Sequence, residues 1–192
     1  MGWDLSARDS LRLQGDLYRG HAHQDVGAFS LRAPFTTSFH DHAHFSGGNL
    51  LARWERASGD RSAMALQFYV DHANRSEAIN AENVETFDVE LQRRLPLGEW
   101  QDVQWGVEAR MMRDYLPPGS LRDFDPERRQ QALFASYLQD ELRLAGDRLR
   151  VTLGAKVERN AYTGLEFQPG AQLLWTPHRD HTLWGSLARA VR

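Results

Sequence analysis

The sequence predicts an all-β chain, an antiparallel up-and-down meander of about nine strands that forms an incomplete piece of a large transmembrane β-barrel. Two observations support this prediction. Segments that alternate apolar and polar residues recur along the chain, and the connections between them alternate between tight turns and long polar excursions. Transmembrane barrels are built in this way, with short turns at one rim and longer loops at the other.

The expected connections fall into two groups. Tight reversals are predicted at Ser58–Arg61, Pro96–Asp102, Ala145–Arg148 and Pro177–His181. Longer loops are predicted at Gly20–Gly47, His72–Val84, Arg113–Gln131 and Arg159–Glu166. A soluble β-sandwich has no need for so strict an alternation.

Each strand prediction rests on a period of two residues, which gives one apolar and one polar face. The clearest segment is SAMALQFYVD, where Met64, Leu66, Phe68 and Val70 share a face. A helix fits poorly in DRLRVTLGAKVER, because the apolar residues follow no helical stripe and Gly154 lies mid-segment. The predicted strands are Ser10–Arg19, Asn49–Ala57, Ser62–Asp71, Glu85–Leu95, Asp102–Arg113, Leu133–Leu144, Asp147–Arg159, Glu166–Thr176 and Thr182–Val191.

The polar faces of these segments carry full charges of both signs, as in Lys156 with Glu158. In a barrel such a face lines the lumen, where neighbouring charges can pair, and the other face meets lipid. Segments of about 9–11 residues are long enough to cross the hydrocarbon layer at a tilt. Tryptophans within or near the strand ends fit the aromatic girdles of a barrel.

Composition sets limits on function. A 192-residue chain suits one domain, and a net charge of −3 argues against a nucleic-acid partner. The absence of cysteine excludes disulfides and thiolate metal sites. The mean hydropathy of −0.59 remains compatible with a barrel, in which only alternate residues face lipid. Met1–Arg8 has neither the basic nor the apolar region of a signal peptide.

Four stretches in order resemble the barrel of TonB-dependent outer-membrane receptors. They are SYLQDELRL (Ser136–Leu144), DRLRVTLGAKVERNAYTG (Asp147–Gly164), FQPGAQLLWTP (Phe167–Pro177) and HTLWGSLARAVR (His181–Arg192). Upstream, LQGDLYRG (Leu13–Gly20) and GGNLLARWER (Gly47–Arg56) are similar to preceding strands of the same family. The resemblance therefore extends over essentially the whole chain.

The resemblance implies a non-enzymatic role in active transport across the outer membrane. Receptors of this family take up iron–siderophore complexes or similarly scarce nutrients through a 22-stranded barrel that encloses a plug. The implied partners are outer-membrane lipid, a metal chelate or other small molecule at the extracellular loops, and the TonB complex, reached only through the plug. No plug domain or signal peptide is recognised here, so we expect residues 1–192 to be a partial barrel.

The sequence contains several candidate sites. Five histidines lie in the first predicted loop, and His40, His42 and His44 could hold a transition metal or form an ordinary polar loop. In the loop Tyr115–Gln131, the aromatics Tyr115 and Phe124 and the pair Arg128–Arg129 could contact an anionic ferric chelate. No catalytic, cofactor-binding or metal site is assigned, no cofactor is expected, and the ligand-binding residues stay open.

Asp140 and Glu141 are adjacent carboxylates, but neighbouring residues of a strand point to opposite faces and cannot act on one substrate. Two alternative functions remain. An independent small outer-membrane barrel or pore would need a signal sequence and an even strand count, and an odd, unclosed sheet would exclude it. A soluble all-β ligand-binding module would bury the face of Met64 and Val70 in a conventional core.

Overall fold

The protein forms one antiparallel sheet of ten strands, each paired with its neighbours in sequence. The computed structural model describes residues 1–29, 31–59, 61–78, 81–118 and 124–190. Residues 119–123 of the predicted third long loop and Val191 of the last predicted strand lie outside this range. The strands are β1 (Gly2–Asp4), β2 (Asp9–Phe29), β3 (Thr36–Ala57), β4 (Ala63–Ser76), β5 (Ala81–Leu97), β6 (Gln101–Tyr115), β7 (Arg128–Leu144), β8 (Leu149–Asn160), β9 (Gly164–His178) and β10 (His181–Ala188).

The meander predicted from sequence is confirmed, with one strand more than the nine expected. The additional strand is β1, which pairs with β2 through Gly2, Trp3 and Asp4. Three residues are too few to display a period of two, so no pattern in the sequence could reveal this strand. The nine predicted strands correspond in order to β2 through β10.

The predicted long loops were mostly wrong, because the strands continue well past the ends of their apolar runs. Most of Gly20–Gly47 is strand, with β2 running to Phe29 and β3 starting at Thr36. The connection between β8 and β9 is only three residues, 161–163. In the extensions of β2 and β3 the polar residues change sides, with histidines where the apolar run would continue and Val26 and Ala43 on the other face. The apolar run therefore ends in the sequence, yet the backbone hydrogen bonds of the ladder do not depend on side-chain polarity.

Two of the tight turns between strands use a backbone conformation that favours glycine. Gly98, between β5 and β6, has φ +70°, and Gly146, between β7 and β8, has φ +65°. A side chain is disfavoured at such φ values, and glycine adopts them at no steric cost. These turns therefore lie where the sequence predicted tight reversals.

The sheet has two open edges. The pairing runs in linear order from β1 to β10, and among the described residues no ladder joins β10 back to β1 or β2. Among the described residues, Met1–Asp4 covers the outer edge of β2 as far as Leu13, so most of that long strand has no described neighbour on one side. Open edges expose unpaired backbone donors and acceptors, which are costly in lipid.

The sheet has no conventional hydrophobic core. The buried apolar residues within the described ranges are all small: Val26, Ala43, Ala65 and Ala135. Large apolar side chains remain exposed instead, with Leu66 at 42% and Phe68 at 46% of their full accessibility. No helix in the described part of the chain is long and apolar enough to cross a membrane.

Most of the exposed apolar residues form a band on one face of the sheet, which we call the apolar face. The register brings Ala52, Phe68 and Val89 side by side across β3, β4 and β5. Leu138 and Ala155 continue the same face in β7 and β8. The opposite face, which we call the charged face, carries the alternate residues of every strand.

All six tryptophans lie close to the short-turn end of the sheet. Trp100 is in a turn, and the others lie within five residues of a strand end that adjoins a short turn: Trp3, Trp54, Trp105, Trp175 and Trp184. Four of them are strongly exposed, Trp184 most of all at 77%. The strand tryptophans other than Trp184 lie on the apolar face, where they match the aromatic girdle of an outer-membrane barrel at one membrane interface. Trp184, opposite Leu174, lies on the charged face.

Candidate functional site

Opposite charges on the charged face meet across neighbouring strands. Near the short-turn end, Arg94 on β5 donates two hydrogen bonds to Asp102 on β6, from Nε at 2.9 Å and from Nη2 at 2.6 Å to Oδ2. Arg143 on β7 places its Nη2 3.6 Å from the same carboxylate oxygen. Asp102 is almost fully buried, at 2% exposure. Three strands are therefore tied together at this point by one carboxylate and two guanidinium groups.

A second network lies further along the same face. The Arg110 Nε donates to Asp88 Oδ2 at 2.9 Å, and its Nη2 lies 3.0 Å from Glu108 Oε1. On β8, the Lys156 ammonium lies 2.8 Å from Glu158. Opposite charges that lie two residues apart in the sequence therefore form ion pairs in the structure. They neutralise one another, so the charged face forms a polar wall with its cations and anions interleaved.

Two glycines on this face accommodate a tyrosine ring from the neighbouring strand. A Cβ at Gly106 would lie 2.4 Å from Cε1 of Tyr137, its partner on β7. A Cβ at Gly47 would lie 2.5 Å from the hydroxyl of Tyr18, its partner on β2. In both cases the absent side chain leaves room for an aromatic ring to lie over the strand, a known device for strengthening sheets at glycine. The sequence reading missed these pairs, since register is needed to find them.

The histidine segment is not in a loop, contrary to the sequence prediction. Its residues lie on the paired extensions of β2 and β3, with His21 opposite His44 and His23 opposite His42. His40 lies opposite Asp25, and the His40 Nδ1 contacts the Asp25 carboxylate. In the described residues, no group of three or more histidine, aspartate or glutamate side chains is arranged to hold a metal ion as it stands.

The other face of this β2–β3 extension is anchored by Asp41. Its Oδ2 accepts a hydrogen bond from the backbone N–H of Ala78 at 3.0 Å, in the connection between β4 and β5. The Gln24 side chain donates to the same oxygen at 3.2 Å. The Ala78 N–H in particular holds the pKa of the Asp41 carboxyl below its ordinary value, and burial opposes this effect.

The residues expected to contact an anionic chelate are divided between the two faces. Arg128 lies opposite Tyr115, and its guanidinium is 4.6 Å from the centre of that ring. Arg129 lies opposite Asp114 instead, one residue along the strand and so on the other side. A cavity of about 470 Å³ borders both faces here, lined in part by Glu85 and Gln130. The pair Arg128–Arg129 therefore does not form a single cationic patch. Phe124 is exposed and lies in the connection before β7, outside the strands.

Asp140 and Glu141 point to opposite faces, as the sequence predicted. Asp140 lies between Val103 and Leu153 on the apolar face, where Gln101 donates a hydrogen bond to it at 2.6 Å. Glu141 lies on the charged face and accepts a hydrogen bond from Arg143 at 2.9 Å. The two carboxylates therefore cannot act on one substrate.

The profile of the family "TonB dependent receptor-like, beta-barrel" matches residues 2–192. The chain belongs to this family. A TonB-dependent receptor barrel has an apolar exterior and a polar interior, and this sheet has one face of each kind.

One solved structure extends the comparison. The sheet is similar to the crystal structure of the siderophore receptor PirA from Pseudomonas aeruginosa, with a TM-score of 0.69 and 16% sequence identity. The match covers 98% of this chain and 38% of that chain. The chain therefore corresponds to part of a TonB-dependent receptor barrel, and at this identity the likeness concerns the fold. No curated protein sequence matches the chain.

Proposed function

We propose that residues 1–192 are part of the barrel wall of an outer-membrane receptor that imports an iron–siderophore complex or a similarly scarce nutrient, without enzymatic activity. The observation that carries the proposal is the family match over the whole chain, joined to a sheet with one apolar and one charged face. The apolar face lies against outer-membrane lipid, and the charged face lines the lumen.

The open edges support a partial barrel. A family barrel has about 22 strands, more than twice the ten found here. The long unpaired edge of β2 and the edge of β10 are where further strands would continue the ladder. The plug, which couples such receptors to the TonB complex, has no counterpart among these strands, so any contact with that complex runs through other parts of the receptor.

The two alternative functions fit less well. A small independent barrel needs a closed sheet, and the described strands form an open one. A soluble binding module would bury the apolar residues of β4, but Leu66 and Phe68 are exposed. An apolar band that is exposed over several strands is costly in water and favourable in lipid.

The charged face supports a structural role for the wall more than ligand selection. Two of its cations, Arg94 and Arg110, are each held by a carboxylate within 3.0 Å. An anionic chelate would have to compete with these internal partners. We therefore assign capture of the ligand to the extracellular rim, at the end of the sheet opposite the short turns.

Transport is tested in iron-starved cells that express the complete receptor containing these strands. Accumulation of iron from a panel of radiolabelled ferric siderophores is compared in cells with and without a working TonB complex. We expect at least one siderophore to be taken up only when the TonB complex works. Uptake that continues without energy coupling would indicate a passive pore, and no uptake of any chelate would remove the nutrient assignment.

Orientation in the membrane is tested separately with short epitope insertions. One is placed beside Tyr162, which is 73% exposed between β8 and β9, and the matched one is placed between Arg179 and Asp180, in the turn before β10. Antibody should label the first insertion in intact cells and the second only after the outer membrane is opened. Labelling of both in intact cells, or recovery of the protein in the aqueous fraction, would contradict the membrane assignment.

A further inference from the structure

The extensions of β2 and β3 carry an unusual concentration of imidazoles on one face. His21, His23, His40, His42 and His44 all lie on the continuation of the apolar face, beyond the point where Leu17 and Gly48 end the apolar run. Each of these histidine side chains belongs to an exposed residue. The sixth position of this histidine ladder is Asp25, opposite His40.

The register places the ladder's imidazoles in facing pairs. Directly opposed residues in an antiparallel ladder have Cβ atoms about 4.5–5.5 Å apart. The rings of His23 and His42 have centroids 4.5 Å apart, and those of His21 and His23 are 5.7 Å apart. A metal ion bound to two imidazoles, at about 2.0–2.1 Å from each nitrogen, fits between rings at this separation after a modest rotation of either.

The Asp25 carboxylate adds an independent feature of metal sites. It contacts Nδ1 of His40 and so favours the tautomer in which that nitrogen carries the proton. The free Nε2 is then available as a ligand, the arrangement in which a carboxylate orients a ligating histidine. His40 lies two residues before His42 on the same face, so the oriented imidazole is next to the His23–His42 pair.

We propose that the histidine ladder binds a divalent transition-metal ion, with His23 and His42 as the first two ligands. No three side chains converge in the described residues as they stand, so the third ligand is supplied when His21, His40 or His44 rotates, or by water. Imidazole ligands suit Cu²⁺, Ni²⁺ and Zn²⁺, and Cu²⁺ is bound most tightly in this series. The ladder faces away from the lumen, so this site is separate from the proposed route of the nutrient.

The test is a calorimetric titration of the purified receptor, in detergent, with Cu²⁺. The double variant His23→Asn/His42→Asn should lose the tightest binding step. The matched control is His178→Asn/His181→Asn, which removes another facing pair, with ring centroids 6.2 Å apart at the short-turn end. This control should retain the step. Equal loss in both variants, or retention in both, would overturn the proposal.

Two further measurements keep the result interpretable if a variant folds poorly. Pulsed electron paramagnetic resonance of Cu²⁺ on the unmodified receptor should detect nitrogen couplings from at least two imidazoles, and coupling to one or none would overturn the proposal. Asp25→Asn should lower Cu²⁺ affinity about tenfold, as expected for loss of a carboxylate that orients a ligand. An unchanged affinity would remove the role assigned to Asp25.

Discussion

Leu153 provides the most direct test of which face meets lipid. It is the third of five outward residues on β8, in the run Leu149, Val151, Leu153, Ala155, Val157, and it is 51% exposed. The run spans eight residue steps of about 3.3 Å, which at a tilt of about 40° corresponds to a height of about 20 Å. Leu153 therefore lies about 10 Å from either boundary, near the middle of the membrane.

Replacing Leu153 by arginine should cost about 2–4 kcal/mol of stability, the penalty for arginine near the midplane on a barrel exterior. Each 1.4 kcal/mol is tenfold in an equilibrium constant, so the equilibrium constant for folding should fall by roughly 30- to 700-fold. Val157→Arg, at the edge of the band, should cost only about 0–1 kcal/mol. The natural Arg159, two residues further on the same face, is consistent with this gradient.

The matched control is Thr152→Arg, one residue away on the charged face. Thr152 lies opposite Glu141, which can accept the new guanidinium, so the expected change is within about 0.5 kcal/mol. Stability is measured by denaturant titration of the receptor in lipid vesicles, with tryptophan fluorescence as the signal. If Thr152→Arg costs as much as Leu153→Arg, the assignment of the two faces is wrong.

Three further predictions concern the charged face and the β2–β3 extension. Gly106→Val would drive a side chain into the ring of Tyr137 and should cost about 1–3 kcal/mol, measured as a lower midpoint in the same titration. Asp102→Ala leaves two arginines without their shared carboxylate and should cost about 2–4 kcal/mol by that assay, less than for a fully buried pair because one of them is half-exposed. Asp41→Asn should speed hydrogen exchange at the Ala78 amide. In the unmodified protein the folded pKa of the Asp41 carboxyl is below its ordinary value of 3.8. The contact should therefore persist above pH 3.8 and weaken as the pH falls through the lower, folded pKa.

Each of these predictions has an internal comparison. Gly154→Ala, where the nearest atom to a new Cβ is 3.3 Å away, should change stability less than Gly106→Val. Gln104→Ala on the same face should change stability less than Asp102→Ala. Exchange at Ala78 that is the same in Asp41→Asn and the unmodified protein would show that the carboxylate does not anchor the connection.

Much of the fold could be predicted from the sequence because the residues of the apolar face occupy every second position of each strand. Met64, Leu66, Phe68 and Val70 fix both the strand and the face, since a shift of one residue would turn them to the other side. The strand extensions could not be predicted in the same way. In His21 through Phe29 the alternation is reversed, so these residues do not continue the apolar run although the ladder continues. Ala22, Val26 and Ala28 lie on the charged face, and the histidines lie on the continuation of the apolar face.

The candidate site was predicted less well, because its contacts depend on register between strands. Charges two residues apart, such as Arg53 and Glu55, are visible in the sequence and do form an ion pair at 2.7 Å. The contact of Arg94 with Asp102 spans a turn and requires the alignment of β5 with β6. The sequence alone predicts a loop for the histidines, and only the pairing of β2 with β3 brings His23 to face His42.

The position of the tryptophans has a spectroscopic consequence. Every indole of these strands lies near the short-turn end, which faces the periplasm in this family. The intrinsic fluorescence of this segment therefore reports on a single leaflet, and a quencher confined to the outer leaflet should leave it bright. Incorporation of brominated phospholipid into one leaflet at a time would thus reveal the orientation of the inserted sheet without any added label.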